Sequence, residues 1–199
     1  MYIARRMTAF LVRRGIIAED RRTMEIYEYG LELISGDLIN FAVVLLLSAL
    51  LQNIGTGVLY LLCFVSVRLF SGGFHTKTHF RCGLAMAVFY LLFSVIYQGL
   101  SAAGAEVLSA GTALAYIPVA VCIPVVNRNR PLNDAERRTN RKRAVILYVL
   151  WTMLAVLLVF FGIEAGKVIL STLWIISINI IFARYVQFWE GRERDEKDC

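Results

Sequence analysis

Long apolar runs separated by short polar segments dominate the chain. Each run approaches the ~20 residues that a helix needs to cross a ~30 Å hydrocarbon core. We therefore predict an all-α integral membrane protein with six transmembrane helices, with Pro118 and Pro124 bending or ending the fourth. The predicted spans cover about residues 31–51, 54–70, 83–100, 107–126, 144–161 and 168–188.

The residues before the first span follow a different pattern. Apolar positions recur at helical spacing over residues 2–14, arginines occupy other faces, and Gly15 offers a stop. This pattern is typical of an amphipathic helix lying in the headgroup layer, and a helix packed against the rest of the protein is the alternative. Residues 18–29 form a second predicted helix, with Glu19 and Asp20 at the positive end of its dipole.

The chain is predicted to form one membrane domain over residues 1–199. Its first thirty residues are rich in charge of both signs, so a cleavable signal peptide is not expected. The domain consists of an amphipathic amino-terminal region, a helical bundle, a polar segment and a basic loop within that bundle, and a charged tail. These parts cover residues 1–29, 30–188, 68–82, 127–143 and 189–199, respectively.

Basic residues alternate with the predicted spans. With six spans, twenty of the twenty-one lysines and arginines fall on the side of the termini, and Lys167 falls on the other side. Because positive charge in short loops stays cytoplasmic, we expect the termini, the polar segment 68–82 and the basic loop to face the cytosol. This arrangement accounts for the net charge of +6 without nucleic acid as a partner.

The polar segment holds both histidines of the chain, the pair Gly72-Gly73, three cations and Cys82. Irregular backbone cannot face lipid, so this turn must lie at a membrane surface or line an enclosed cavity. The cysteines show no paired spacing, and Cys63 and Cys122 lie inside apolar runs. We therefore expect reduced thiols rather than disulfides.

A nucleophilic cysteine needs a neighbouring base or positive charge, because a thiol with an ordinary pKa near ~8.5 is mostly protonated at neutral pH. His75 and His79 are the candidate bases. In one straight helix His79 would lie beside Cys82, and His75 would lie about 10 Å away along the axis. The glycine pair, however, allows His75 to fold back over the helix that carries Cys82. A structural role for the cysteine and the histidines is the alternative.

These residues resemble the motif of a known family. Arg68, a Gly-Gly-x-His sequence at residues 72–75 and, after six further residues, Cys82 are similar to the pattern of the accessory gene regulator B family of bacterial membrane endopeptidases. The likeness extends to residues 29–32, to the prolines of the fourth span, to residues 129–132 and to the length of the chain.

The resemblance implies a cysteine peptidase of the bacterial cell membrane that cuts the propeptide of a quorum-sensing signal. Cys82 would be the nucleophile and His75 the base, with Arg68, Gly72 and Gly73 supporting the site or its oxyanion hole. The acyl group would pass to a thiol or hydroxyl of the substrate and close a thiolactone or lactone ring. No cofactor and no metal ion is expected.

A third member of such a site would orient His75. Glu32, Asp37 and Asn40 are the candidates, since ionisable groups in a span are costly unless they face a partner or a cavity. A structural residue, salt-bridged or uncharged, is the alternative for Asp37. His79 would then be a rim residue or a substrate contact.

The basic residues suggest how a substrate would bind. The resemblance implies a short amphipathic propeptide with an acidic tail, which a cationic surface would attract. Fixing the topology is the other role for these residues. The lipid bilayer and, through broad apolar helix faces, a second copy of the chain are further expected partners. The residues predicted to attract the tail are Lys77, Arg81, Arg128, Arg130, Arg137 and Arg138.

Two other functions fit the same residues. A non-enzymatic small transporter or channel-like protein would use Asp37 and the histidines as ion or proton sites. An acyltransferase would carry a fatty acyl group on Cys82. Replacing Cys82 with alanine would leave transport intact and would abolish a peptidase.

Overall fold

The computed structural model describes residues 2–18, 20–72, 79–102, 105–125 and 133–195. In these ranges the regular elements are α-helices. They are α1 (Tyr2–Arg13), α2 (Arg21–Leu50), α3 (Ile54–Ser71), α4 (His79–Ala102), α5 (Ala105–Cys122), α6 (Asp134–Phe160) and α7 (Ala165–Asp195).

Five of these helices, α2, α3, α4, α6 and α7, are long and apolar enough to cross a membrane. The helix at the predicted fourth span, α5, has a shorter described apolar part, Ala110–Cys122. It continues through Pro118 and ends two residues before Pro124. The expectation of an all-helical, multi-pass membrane protein is confirmed, and the sixth span stays a prediction.

The amino-terminal helix α1 lies where the apolar spacing predicts it, and Gly15 follows it with a φ of 67°. Arg5 of α1 approaches Glu28 of α2 to 3.7 Å, and Thr8 is buried. Phe10 is exposed. One face of α1 therefore packs on α2 and another presents apolar side chains outward. Its position in the headgroup layer stays a prediction.

The predicted break between residues 18–29 and the first span is wrong. One helix, α2, runs through Gly30, where an added Cβ would meet no atom within 4 Å. A single glycine costs a helix only about 1 kcal/mol, so it does not end a helix that residues on both sides extend.

Asp20 is the N-cap of α2 rather than a residue of its first turn. Its carboxylate accepts a hydrogen bond from the Thr23 hydroxyl at 2.9 Å and from the backbone N–H groups of Thr23 and Arg22 at 3.1 and 3.4 Å. These bonds, above all the one from the Thr23 hydroxyl, hold the pKa of Asp20 below its usual range. The acid predicted to suit the helix dipole is therefore a capping residue.

Helix α7 is the centre of the bundle and packs against α3, α4, α5 and α6. Of its apolar span, 67% is buried, compared with 17% of the span in α6. A polar link joins three of the helices. The hydroxyl of Tyr148 lies 3.2 Å from that of Ser177, which donates to the carbonyl of Ala115 at 2.5 Å.

Two arginines hold the carboxyl end of α5. Pro124 has no N–H to donate to the carbonyl of Ala120, and Nη2 of Arg141 donates to that carbonyl at 2.7 Å. Nε and Nη2 of Arg184 donate to the carbonyl of Cys122 at 3.0 and 2.6 Å. Carbonyls that the helix leaves without an N–H partner thus receive hydrogen bonds from α6 and α7.

The second half of the predicted basic loop, residues 127–143, is helical, which corrects that prediction. Helix α6 begins at Asp134, and the N–H of Asn133 donates to the carboxylate of Glu136 at 3.1 Å. This bond satisfies a donor at the start of the helix. The predicted charged tail at residues 189–199 likewise begins as helix, because α7 continues to Asp195.

Candidate functional site

The turn that ends α3 is fixed against the segment that follows α5. The N–H of Val125 donates to the carbonyl of Ser71 at 2.8 Å, and Gly72 forms a parallel bridge with Val125. Gly72 has a φ of 69°, and a Cβ on it would collide with the carbonyl oxygen of Val125. Both the backbone conformation and the close approach require glycine at this position.

Cys82 is the fourth residue of α4, and its side chain is half-buried. Nδ2 of Asn40, on α2, donates to its Sγ at 3.4 Å. Asn40 is only 7% exposed. The structure therefore brings together a thiol and an amide that are 42 residues apart in the chain.

Arg68, in the last turn of α3, places positive charge beside this thiol. Its guanidinium lies 5.4 Å from the ring centroid of Phe64, and Nη1 contacts the sulfur of Met86 at 3.8 Å. Met86 follows Cys82 by one turn of α4, so this contact brings the positive charge to the part of the helix that carries the thiol. The amino end of α4 adds partial positive charge at the same place.

Sequence reasoning did not identify Phe64 and Met86 as the side chains that position Arg68. Phe64 was detectable, because it lies four residues before Arg68 on one helix and therefore on the same face. Met86 lies on the neighbouring helix α4, and only the packing of α3 against α4 identifies it.

The three residues predicted to orient the histidine differ in their surroundings. Asn40 is buried and contacts Cys82. Asp37 is exposed, and Glu32 is half-buried. Asn40 contacts the sulfur of Cys82 directly, and both imidazoles lie outside the described residues, so the orienting role stays a prediction for all three.

Several predicted site residues lie outside the described part of the chain, namely Gly73, His75, Lys77, Arg128 and Arg130. The side chains of His79 and Arg81 lie outside it as well, although both residues belong to the first turn of α4. The choice between the two histidines as the base therefore stays a prediction.

The basic residues of α6 fall into two groups. Arg141 bonds to Ala120, and the guanidinium of Arg143 lies 5.5 Å from the ring centroid of Phe70. Arg137 and Arg138, one helical turn earlier, are exposed. All four arginines are exposed, but Arg141 and Arg143 contact α5 and α3, whereas Arg137 and Arg138 lie nearer the start of the helix.

Cys63, Cys82 and Cys122 are free thiols, as predicted. Cys63 is buried inside α3, and Cys122 is half-buried at the end of α5. Within the described ranges, no three His, Cys, Asp or Glu side chains could together hold a metal ion.

The fold and the surroundings of Cys82 define a multi-pass helical membrane protein with a polar thiol site at the end of a span. The model of the accessory gene regulator B family matches residues 4–185, and the chain therefore belongs to that family. Membership implies a part in processing an autoinducing peptide, in a family whose members are generally protease-like. Neither a curated protein nor a solved structure matches the chain.

Proposed function

We propose that the protein is a membrane-embedded cysteine endopeptidase that cleaves the carboxyl-terminal part off a short autoinducer propeptide and cyclises the product. The observation that carries the proposal is the Cys82 sulfur, which has the amide of Asn40 beside it and the guanidinium of Arg68 against Met86, one turn further along α4, in a chain of this family. Positive potential at a half-buried sulfur favours the attack of a thiolate on a peptide carbonyl.

In this mechanism His75 takes the proton of the Cys82 thiol, and the thiolate adds to the scissile carbonyl. The tetrahedral intermediate collapses, the C–N bond breaks, and His75 delivers the proton to the leaving amine. The acyl group then remains on Cys82 as a thioester. A thiol or hydroxyl of the substrate attacks the thioester, which closes the thiolactone or lactone and returns the proton to Cys82.

The turn at Gly72 supports the proposal because it fixes the backbone from which His75 follows. Val125 holds Gly72 against the end of α5, so residues 73–78 leave α3 from a defined point. We place His79 at the rim of the site, and we include the N–H of Gly73 and the amino end of α4 among the oxyanion donors.

The proposed orientation places the termini, the site and the basic residues in the cytosol. An acidic tail of the propeptide would then meet a cationic surface of Lys77, Arg81, Arg128, Arg130, Arg137 and Arg138. Arg137 and Arg138 support this assignment, because they are exposed and lie on the first turns of α6, in the helical second half of the predicted basic loop. Replacing both with glutamine should raise KM at low salt, and this difference should shrink at high salt.

The decisive experiment uses the protein in liposomes with the propeptide encoded by the short reading frame nearest to its gene. Wild type should release the carboxyl-terminal fragment, and Cys82→Ser should not. Cys122→Ser, at a half-buried thiol elsewhere in the bundle, is the matched control and should cleave normally. Rapid quenching should also trap a wild-type adduct with the mass of the propeptide's amino-terminal part.

Three outcomes would contradict the proposal. Full activity of Cys82→Ser would show that Cys82 is not the nucleophile. An adduct with the mass of a fatty acyl chain would indicate an acyltransferase. Ion or proton flux that survives in Cys82→Ala but is lost in Asp37→Asn would indicate a transporter.

A further inference from the structure

Asn40 is a buried amide near the middle of a long, apolar helix. A polar group in such a position costs free energy unless its hydrogen-bonding atoms are satisfied. Nδ2 reaches the sulfur of Cys82, which is a weak acceptor. Oδ1 is buried and has no hydrogen-bond partner among the described residues. The amide is therefore held at the thiol with hydrogen-bonding capacity that the described protein groups do not use.

We propose that Asn40 is a catalytic residue whose Nδ2–H donates to the oxyanion of the tetrahedral intermediate. This inference rests on the proposed peptidase function. The oxyanion is two bonds from the attacking sulfur, so a donor already 3.4 Å from the sulfur needs only a small shift to reach it. Effective donors lie about 2.7–3.1 Å from the oxyanion.

The surroundings strengthen the assignment. Asn40 is nine-tenths buried, so water competes little for its N–H and the bond to a developing negative charge gains strength. A Cβ on Gly83, the residue after Cys82, would lie 3.9 Å from Oδ1. The amide thus lies along α4 at residues 82 and 83, where Oδ1 can accept an N–H of the bound peptide.

This role differs from that of a residue that orients the imidazole. A residue that orients His75 would alter the pH dependence of kcat/KM when removed, because the pKa of the base would change. A residue that only stabilises the oxyanion would lower kcat at every pH and leave the shape of the profile unchanged. Nδ2 contacts the sulfur that would form the C–S bond, which places the donor close to the oxyanion and favours the second role.

The test compares wild type with Asn40→Asp and Asn40→Leu in liposomes, with the propeptide as substrate. Asp keeps the size and an acceptor oxygen but removes the donor, and Leu removes both polar atoms at similar volume. We expect kcat to fall about 10²–10³-fold in both variants, and in Asn40→Leu, which adds no titrating group, the limb of the pH profile that reports the base should keep its position. Ser35→Ala, which removes the hydroxyl bonded to Leu31 on the same helix, is the control and should retain full activity.

A second measurement separates catalysis from folding. Alkylation of Cys82 by iodoacetamide should proceed at a similar rate in Asn40→Leu and wild type, since the thiol remains in place. Near-wild-type kcat in Asn40→Leu, a displaced base limb in its pH profile, or unfolding of both variants would each overturn the role of Asn40 while Cys82-dependent cleavage by wild type persists. Absence of Cys82-dependent cleavage by wild type would overturn the proposed function, and this inference with it.

Discussion

The carboxyl end of α5 and the amino end of α4 both lie beside the end of α3, yet they use their polar groups differently. At α5, Arg141 and Arg184 donate to carbonyls that the helix itself leaves without partners. At α4, Asn40 reaches Cys82 with one atom and keeps a buried acceptor without a described partner. The hydrogen bonds at α5 stabilise the end of the helix. The amide at α4 keeps a hydrogen-bonding atom that a reacting group can use. A polar group at a helix end therefore indicates function where one of its buried atoms has no described partner.

The largest expected effect on stability is at the junction of the two regions. Gly72→Ala adds a Cβ at positive φ against the carbonyl of Val125, and should lower the free energy of unfolding by roughly 2–4 kcal/mol. Gly15→Ala has a similar φ of 67° but open space around the Cβ, and should cost about 1 kcal/mol. Thermal unfolding in detergent measures both. Equal losses would show that Val125 does not restrict the turn.

Next in size is an effect on activity at the α4 side. Arg68→Gln should lower kcat about 100-fold, because the positive charge that Arg68 brings to α4 near Cys82 is lost, and Arg68→Lys should recover part of it. Arg143→Gln is the matched control, since Arg143 lies over Phe70 at 5.5 Å as Arg68 lies over Phe64 at 5.4 Å. A similar loss of turnover in Arg143→Gln would mean that ring packing, not charge at the thiol, limits the reaction.

At the α5 side the expected effects are on stability alone. Arg184→Gln should lower the free energy of unfolding by about 2 kcal/mol and Arg141→Gln by about 1 kcal/mol, through lost bonds to Cys122 and Ala120. Arg138→Gln, exposed on the same helix as Arg141, should change it by less than about 0.5 kcal/mol. Denaturation curves measure the three variants. An Arg138 effect as large as that of Arg141 would contradict the division of the basic residues into two groups.

The smallest effect lies far from both regions, at the start of α2. The folded pKa of Asp20 is lowered, so its capping contribution is complete above the ordinary value near ~3.9 and is lost as pH falls through the lowered folded value. Hydrogen exchange of the Arg22 and Thr23 amides should therefore accelerate below about pH 4, after correction for the intrinsic rate. Asp20→Asn, which caps without a titrating charge, should show no such step. If Asp20→Asn shows an acceleration of the same size, the step belongs to another titrating group.

The hydropathy pattern could predict the order of the helices. For α3 it also predicted the first and last residues of the helix almost correctly. Asn53 and Gly72 are polar or conformationally special residues directly beside an apolar run, so span and helix coincide there. The same logic failed at residues 134–143, where charge marks the edge of a span but Asn133 and Glu136 start a helix earlier. Charge prevents burial in lipid and does not prevent helix formation.

The candidate site could be predicted only in part. Cys82 and Arg68 follow from the motif, whereas Asn40 was one of three candidates in α2. Which of the three residues faces Cys82 depends on how α2 is rotated about its axis relative to α4. The apolar sequence of either helix does not determine this rotation. Arg141 had an indirect signal, because Pro124 leaves the carbonyl of Ala120 without an N–H and so implies a donor nearby. Which arginine donates each hydrogen bond depends on how the helices pack in the folded protein.

Helix α7 follows in the chain all four of the helices that it packs against. During synthesis, α3 to α6 are consequently made before their common neighbour exists, and polar atoms such as the hydroxyl of Tyr148 lack the contact with Ser177 until α7 follows. Assembly is therefore a late event in translation. A ribosome that stops before α7 would release inserted but unassembled segments, which membrane quality-control proteases can recognise, rather than a weakly active enzyme.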